Sequence, residues 1–242
     1  MKPTPTSTVR DVVTDDFRAA AVFHGYGIDF CCGGKRTIAE ACGELNLCTD
    51  EVLREVSKAC NDKDVAVPRY AEWETDALIR HIVDGHHTYV RRALRSIGGM
   101  LEKLVQVHGA RHPELSEVAA VFDEVRAEMI AHMGKEELVL FPYIDQLASA
   151  VHERAELPPP PFGSIENPIR VMEAEHDSAG AGMALIRKLT RAYTPPEDGC
   201  TTYRACFQEL EAFERDLHEH VHLENNILFP RARALASWML TI

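Results

Sequence analysis

A chain of 242 residues is long enough for one large domain, or for a large domain with a small one, and its 45% hydrophobic content is enough for a real core. The formal net charge of -12, with no Lys/Arg cluster to override it, argues against nonspecific nucleic-acid binding. No stretch approaches the roughly eighteen uninterrupted apolar residues of a membrane span, and Met1-Lys-Pro-Thr-Pro leads into no apolar run of a signal peptide, so the expected address is cytoplasmic.

Residues 1–62 read as a small helical domain that carries cysteines. Val9 to Phe23 has an apolar spacing that closes at Gly25, Ile38 to Leu45 makes a short helix, and Thr49 is placed to cap Glu51 to Ala59. Between the first two lies Tyr26-Gly-Ile-Asp-Phe-Cys31-Cys32-Gly-Gly-Lys, whose glycines permit a tight bend and leave both thiols accessible. The seven cysteines are an odd set with no Cys-x-x-Cys spacing, which fits neither a disulfide framework nor a zinc finger. Asn61 to Tyr70, charged and holding Pro68, reads as a linker.

Residues 73–242 form the second domain. They hold four long helical stretches, at about 73–106, 113–150, 168–193 and 200–239, with Gly98-Gly99 as a kink or weak point in the first. Leu157-Pro-Pro-Pro-Pro-Phe-Gly and Thr194-Pro-Pro-Glu-Asp-Gly199 are breaks no helix crosses, and Asn167 followed by Pro168 reads as an N-cap with a first-turn proline. No useful β-alternation occurs. The predicted fold is all-α: an up-down-up-down four-helix bundle behind a small helical domain.

The bundle contains one motif twice. His132-Met-Gly-Lys-Glu136-Glu-Leu-Val-Leu-Phe-Pro142 and His220-Val-His-Leu-Glu224-Asn-Asn-Ile-Leu-Phe-Pro230 both read His-x-x-x-Glu-x-x-[Val/Ile]-Leu-Phe-Pro, 88 residues apart. Residues four apart share a helix face, so each copy offers an imidazole nitrogen and a carboxylate oxygen to one point. A single His-x-x-x-Glu is usually a surface pair, but here both pairs fall on apolar stripes, Val118, Val121, Val125, Met129, His132, Glu136, Leu140 and Leu210, Phe213, Leu217, His220, Glu224, Ile227. A carboxylate at a core position costs several kcal/mol unless something pairs with it, and a bound cation does so. Imidazole with carboxylate suits iron, zinc or manganese.

A bundle-core site also draws on the other two helices. The third offers His176, on the stripe Ile169, Met172, His176, Ala179, Met183, Ile186. The first offers His81, His86 and His87; the stripe Val83, His87, Val90, Leu94 favours His87, and so does the spacing, 45 residues from His87 to His132 against 44 from His176 to His220. His86, at 46, stays open. Four histidines and two glutamates exceed one tetrahedral zinc and suit two metals sharing carboxylates; ferritin-like bundles use Glu-x-x-His instead. Spacing puts His218 and His222 opposite His220 as surface residues, and His24, His108, His112 and His152 have no register partner.

The residues resemble the di-iron iron-sulfur cluster repair proteins of the RIC, or ScdA/YtfE, type, which have a haemerythrin-like bundle behind a cysteine-bearing domain. The resemblance rests on Asp29-Phe-Cys31-Cys32-Gly-Gly, on Glu175-His176-Asp177 and on the two motif copies, and covers nearly the whole chain. It implies two non-haem irons held by His87, His132, Glu136, His176, His220 and Glu224, bridged by the glutamates and an oxo or hydroxo group. It also implies a conspicuous Cys31-Cys32 pair and a polar route to the irons lined by Glu128 and Glu175. The connector holding Pro158 to Pro161 is longer than the family pattern.

Such proteins restore clusters damaged by nitric oxide or peroxide, by giving up iron, so the implied partners are damaged or apo iron-sulfur proteins, with nitric oxide or oxygen as small ligands, no nucleic acid and no membrane; a homodimer is compatible with this. Two alternatives stand beside repair: an enzyme reducing nitric oxide or peroxide at the di-iron site, and an oxygen-binding or sensing module. Haemerythrin sites carry an additional histidine, and an oxygen carrier has no evident use for the cysteine domain.

Overall fold

The computed structural model describes residues 2–62 and 67–239, so residues 63–66 of the expected linker lie outside the described residues. Regular structure among these is helical apart from one isolated bridge, Thr8 to Thr37. The all-α class and the four long helical rods are as the sequence predicts. By contact the chain divides into two compact units, residues 1–79 with 218–242, and residues 80–217.

In the first unit, α1 (Val9–Asp15) and α2 (Arg18–Gly25) replace the single helix expected over Val9 to Phe23. The break is at Asp16, whose backbone is extended and whose carboxylate accepts from the Arg18 backbone N–H at 3.1 Å and from its Nε at 2.9 Å. A short acidic side chain that bonds two residues ahead offers the backbone an alternative to the helix. α3 (Ile38–Glu44) opens on a capping box, Thr37 with Glu40. α4 (Thr49–Asn61) includes Thr49 as its first residue, and the cap position belongs to Cys48, which makes no side-chain cap bond. Val12, Phe23, Ile38, Val52 and Val56 are buried at this unit's centre.

The first rod starts at α5 (Thr75–His81), passes through a π turn at Ile82–His87 and continues as α6 (Thr88–His108). α6 continues as helix through Gly98-Gly99, with Ile97 and Leu101 buried on either side. The second rod is α7 (Glu114–Lys135), a π turn and α8 (Phe141–Glu153). The third is α9 (Glu166–Leu189), in which Asn167 lies inside the first turn instead of capping it and sends its Nδ2 back to the Phe162 carbonyl at 3.0 Å. The fourth is α10 (Thr201–Leu223), a π turn and α11 (Phe229–Met239).

α7 and α9 approach closely because Gly182 has no side chain: a Cβ there would lie 2.6 Å from Val125 Cγ2. Phe122, Val125, Met129, Met172, Ala179 and Met183 are buried along this seam.

After α9 the chain turns through Arg191, Ala192 and Tyr193, three consecutive non-glycine residues with φ of 51°, 55° and 57°. Each such residue costs about 1 kcal/mol, and the turn is held by buried Tyr193, whose backbone N–H reaches Thr190 Oγ1 at 3.1 Å. Exposed Ala192 contributes only its backbone. Ala192→Gly is therefore expected to stabilise the protein, by about 0.5 to 1 kcal/mol, in urea unfolding; an unchanged or lower midpoint would show that this turn stores no strain.

Candidate metal centre

Each π turn abuts a residue of the His/Glu set. Ile82–His87 ends on His87, Glu136–Leu140 begins with Glu136, and Glu224–Leu228 begins with Glu224. A π turn inserts one extra residue into a helix and re-aims the side chains beyond it, which is why such turns recur at functional sites. In the second rod Leu138 is 82% exposed while Leu140 and Phe141 are buried.

In the unit of residues 80–217, His87, His132, Glu136 and His176 are buried. The Nε2 atoms of His87 and His132 lie 3.4 and 3.2 Å from Glu136 Oε2, and Nε2 of His176 lies 3.0 Å from Nε2 of His132. His86 turns elsewhere, with its Nδ1 3.0 Å from Asp216 and its ring against His81. The outer nitrogens of two of these rings are fixed. His87 Nδ1 donates to Glu137 at 2.6 Å, and Arg91 holds that carboxylate at 2.8 Å. His132 Nδ1 donates to Glu175 at 2.9 Å, and Glu175 also takes Lys135.

These outer bonds set the chemistry of the inner face. A carboxylate only accepts, so the proton of each neutral ring sits on Nδ1, and each Nε2 presents a lone pair to another acceptor, the Glu136 oxygen. Lone pairs converging on a buried carboxylate need a cation between them, so the donor set fits a metal of the imidazole-plus-carboxylate class. Glu137 and Glu175 pull their histidines into that orientation. Lys135 and His132 hold the Glu175 carboxyl below its usual range although its partial burial pushes the other way.

In the unit of residues 1–79 and 218–242, His220 and Glu224 are both fully buried, with His220 Nε2 2.9 Å from Glu224 Oε1. His222, expected on the surface, is also fully buried. Phe17 and Phe30 lie against its ring at 5.9 and 5.8 Å, and this burial pulls it down to about 4. His218 is half-buried and meets His24 at 3.3 Å. The apolar residues of the small domain cover this helix face, and helical spacing contains no sign of that.

The cysteine bend is less open than expected: Cys31 is buried and Cys32 half-buried. Asp29 organises it, accepting from the N–H groups of Cys31, Cys32 and Gly33 at 2.9, 3.0 and 2.7 Å and from the Cys31 thiol at 3.1 Å. The two sulfurs are 3.9 Å apart, and the Cys32 thiol, burial and the Asp29 charge push the Cys31 thiol well above its ordinary range. Gly34 is required here, since a Cβ would meet the Phe30 carbonyl oxygen at 2.4 Å. Asn226 ties the bend to the π turn that starts at Glu224, donating to the carbonyls of Phe30 and Cys31, each at 3.3 Å.

Glu128 is exposed and accepts from Ser178 Oγ at 2.9 Å. With Glu175, Lys135 and Arg170 it lines a surface depression of about 780 Å³. Glu175 thus has one face on this depression and the other on His132.

Comparison with known proteins places this arrangement. The hemerythrin HHE cation binding domain model matches residues 78–232, a span that includes all six His/Glu positions. Residues 5–67 match ScdA_N, described as a domain of unknown function. The iron-sulfur cluster repair protein YtfE of Yersinia pestis (strain Pestoides F) is 36% identical over 215 residues, covering 89% of this chain and 91% of the relative. The chain belongs to the YtfE family of iron-sulfur cluster repair proteins. The protein of that name from Yersinia pseudotuberculosis serotype O:1b (strain IP 31758) matches to the same extent. In this YtfE-family chain Cys31 and Cys32 fall in the ScdA_N match and the His/Glu set in the HHE match. No helix among its described residues is long and apolar enough to cross a membrane.

Proposed function

We propose that this protein holds two non-haem irons through His87, His132, Glu136, His176, His220 and Glu224, with the glutamates and an oxo or hydroxo group as bridges, and that it repairs iron-sulfur clusters damaged by nitric oxide or peroxide by giving up iron. The observation that carries this reading is the fixed orientation of His87 and His132: Glu137 and Glu175 occupy their outer nitrogens, so the inner ones aim at buried Glu136. The family names support iron as the metal, and cluster repair as the task, since relatives covering nine tenths of their own length carry that description. Two ferrous ions supply both a releasable cargo and a centre that binds nitric oxide or oxygen.

The chain's own residues have defined parts in this. The two His-x-x-x-Glu pairs supply the anionic charge that holds the irons, and the imidazoles complete the set without adding charge. Glu175 and Glu128 line the polar approach from the surface depression. Cys31 and Cys32 accompany iron transfer, with Asn226 holding their bend against the turn that begins with Glu224. The compartment is the cytoplasm, and the recipients are apo or damaged iron-sulfur proteins.

Anaerobically purified protein is expected to contain two coupled irons per chain by metal analysis with Mössbauer spectroscopy, and to reactivate an iron-sulfur enzyme treated with nitric oxide. His132→Ala and Glu224→Leu should each lose reactivation, and full activity in both would overturn the reading. Nitrous oxide formed over many turnovers, without loss of iron, would instead establish the reductase.

A further inference from the structure

Cys200 and His108 form a pair that the metal reading does not use. Cys200 is exposed and occupies the cap position of α10, a helix of 23 residues, its carbonyl accepting the Arg204 N–H at 3.1 Å. His108, the last residue of α6, is only 5% exposed and places Nε2 3.3 Å from Cys200 Sγ. Its Nδ1 is buried and makes no hydrogen bond among the described residues. A proton on Nδ1 would be a buried donor without an acceptor, so the favoured tautomer carries it on Nε2, aimed at the sulfur. Backbone N–H groups of Tyr203 and Thr202 at the helix start also hold the Cys200 thiol below its ordinary range.

The surrounding charges leave this arrangement intact. Asp198 is the nearest carboxylate in sequence, and it is engaged by His112 Nε2 at 3.0 Å and by Arg111 at 2.9 Å. Glu114 takes the other nitrogen of His112 at 3.3 Å. Tyr203 packs edge-on against both His108 and His112, at 5.5 and 5.7 Å, and fixes the His108 ring.

We propose that Cys200, supported by His108, is a reactive thiolate that peroxides oxidise to a sulfenic acid: a covalent modification site far in sequence from Cys31 and Cys32. The thiolate attacks one peroxide oxygen; the S–O bond forms as the O–O bond breaks, sulfur is oxidised by two electrons, and the other oxygen leaves as hydroxide or alkoxide and takes a proton from water. Two soluble thiols reverse the state: the first attacks the sulfenic sulfur, forming a mixed disulfide and releasing water, and the second attacks that disulfide, freeing the Cys200 thiol and leaving as a soluble disulfide. His108 acts as a positioning residue that holds the thiolate.

The molecule contains its own comparison in Cys48, which is also exposed and also stands at a helix start, but makes no side-chain cap bond. With iodoacetamide at pH 7 and peptide mass spectrometry, Cys200 is expected to alkylate at least about tenfold faster than Cys48, with the midpoint of its pH-rate profile displaced to lower pH. His108→Gln should remove most of that advantage and move the pH profile of Cys200 up to that of Cys48. Dilute hydrogen peroxide followed by dimedone should label the Cys200 peptide ahead of the Cys48 peptide. Equal alkylation rates and pH profiles in the wild type would overturn the proposal whether or not His108→Gln folds. So would a His108→Gln profile identical to the wild type, or fast alkylation without a dimedone adduct.

Discussion

Glu136→Leu is expected to abolish iron uptake and, in the same molecule, to make the metal-free protein more stable than the metal-free wild type. Glu136 is fully buried among imidazoles, and its acceptor oxygen faces the lone pairs of His87 and His132. Without a cation the fold carries the desolvation of that carboxylate. Replacing a buried ion pair by well-packed apolar residues of similar volume is often neutral or stabilises by about 1 to 4 kcal/mol, and exchanging this buried carboxylate for leucine when no cation is bound is expected to fall within that range. For a chain of this size each kcal/mol is roughly 2 to 4 °C in Tm. Calorimetry of chelator-treated wild type and variant measures this directly, with metal analysis in parallel. A variant that melts below the metal-free wild type would mean that the neighbouring imidazoles already satisfy the carboxylate, and that the cation is not what the site is built for.

The opposite sign is expected at a second buried carboxylate. Glu214 is 2% exposed and receives Arg187 Nε at 2.8 Å; burial pushes its carboxyl above the usual range, and Arg187 pulls it back. Arg187→Met leaves burial alone. Removing one partner of a buried pair costs 3 to 5 kcal/mol, and because Arg187 is 29% exposed the loss should be near the low end, about 3 kcal/mol at pH 7. The pH dependence follows from the direction of the shift. A carboxyl whose folded value lies above its unfolded one binds its proton more readily when folded, so the deficit is full at neutral pH and shrinks as pH falls through the raised folded value. Urea titrations at pH 7 and pH 5 should show the gap to wild type closing, and Arg187→Met with Glu214→Leu should recover most of it. A loss equal at both pH values would place the effect of Arg187 in packing instead of charge. The guanidinium also lies 5.8 Å from the Tyr193 ring, so such packing exists.

The helices were legible in the chain because their signal is local. Apolar residues at three-four spacing, a Pro-rich connector and the Leu-Phe-Pro repeat locate four rods without reference to anything distant. His-x-x-x-Glu is legible for the same reason, since four residues along one helix bring the two side chains to one face. Misreadings came where a side chain outside the pattern intervened. Asp16 breaks the first helix by bonding to Arg18, and Asn167 reaches back to Phe162 from inside α9 instead of capping it.

Other features depend on residues far apart in sequence, and periodicity has no access to them. Glu137 looks like a solvent neighbour of Glu136 until the first rod brings His87 to it, 50 residues back along the chain. His222 reads as a surface residue on its own helix and is buried because Phe17 and Phe30 pack over it. Asn226 gains its role only by meeting the carbonyls of Phe30 and Cys31 across 195 residues or more. His108, without a register partner, becomes a neighbour of Cys200 because the end of one rod meets the start of another. The sequence settles which residue types share a helix face, because a helix has one period; which nitrogen of a ring points inward, and which thiol is exposed, is settled by packing, because those depend on what comes to rest against them.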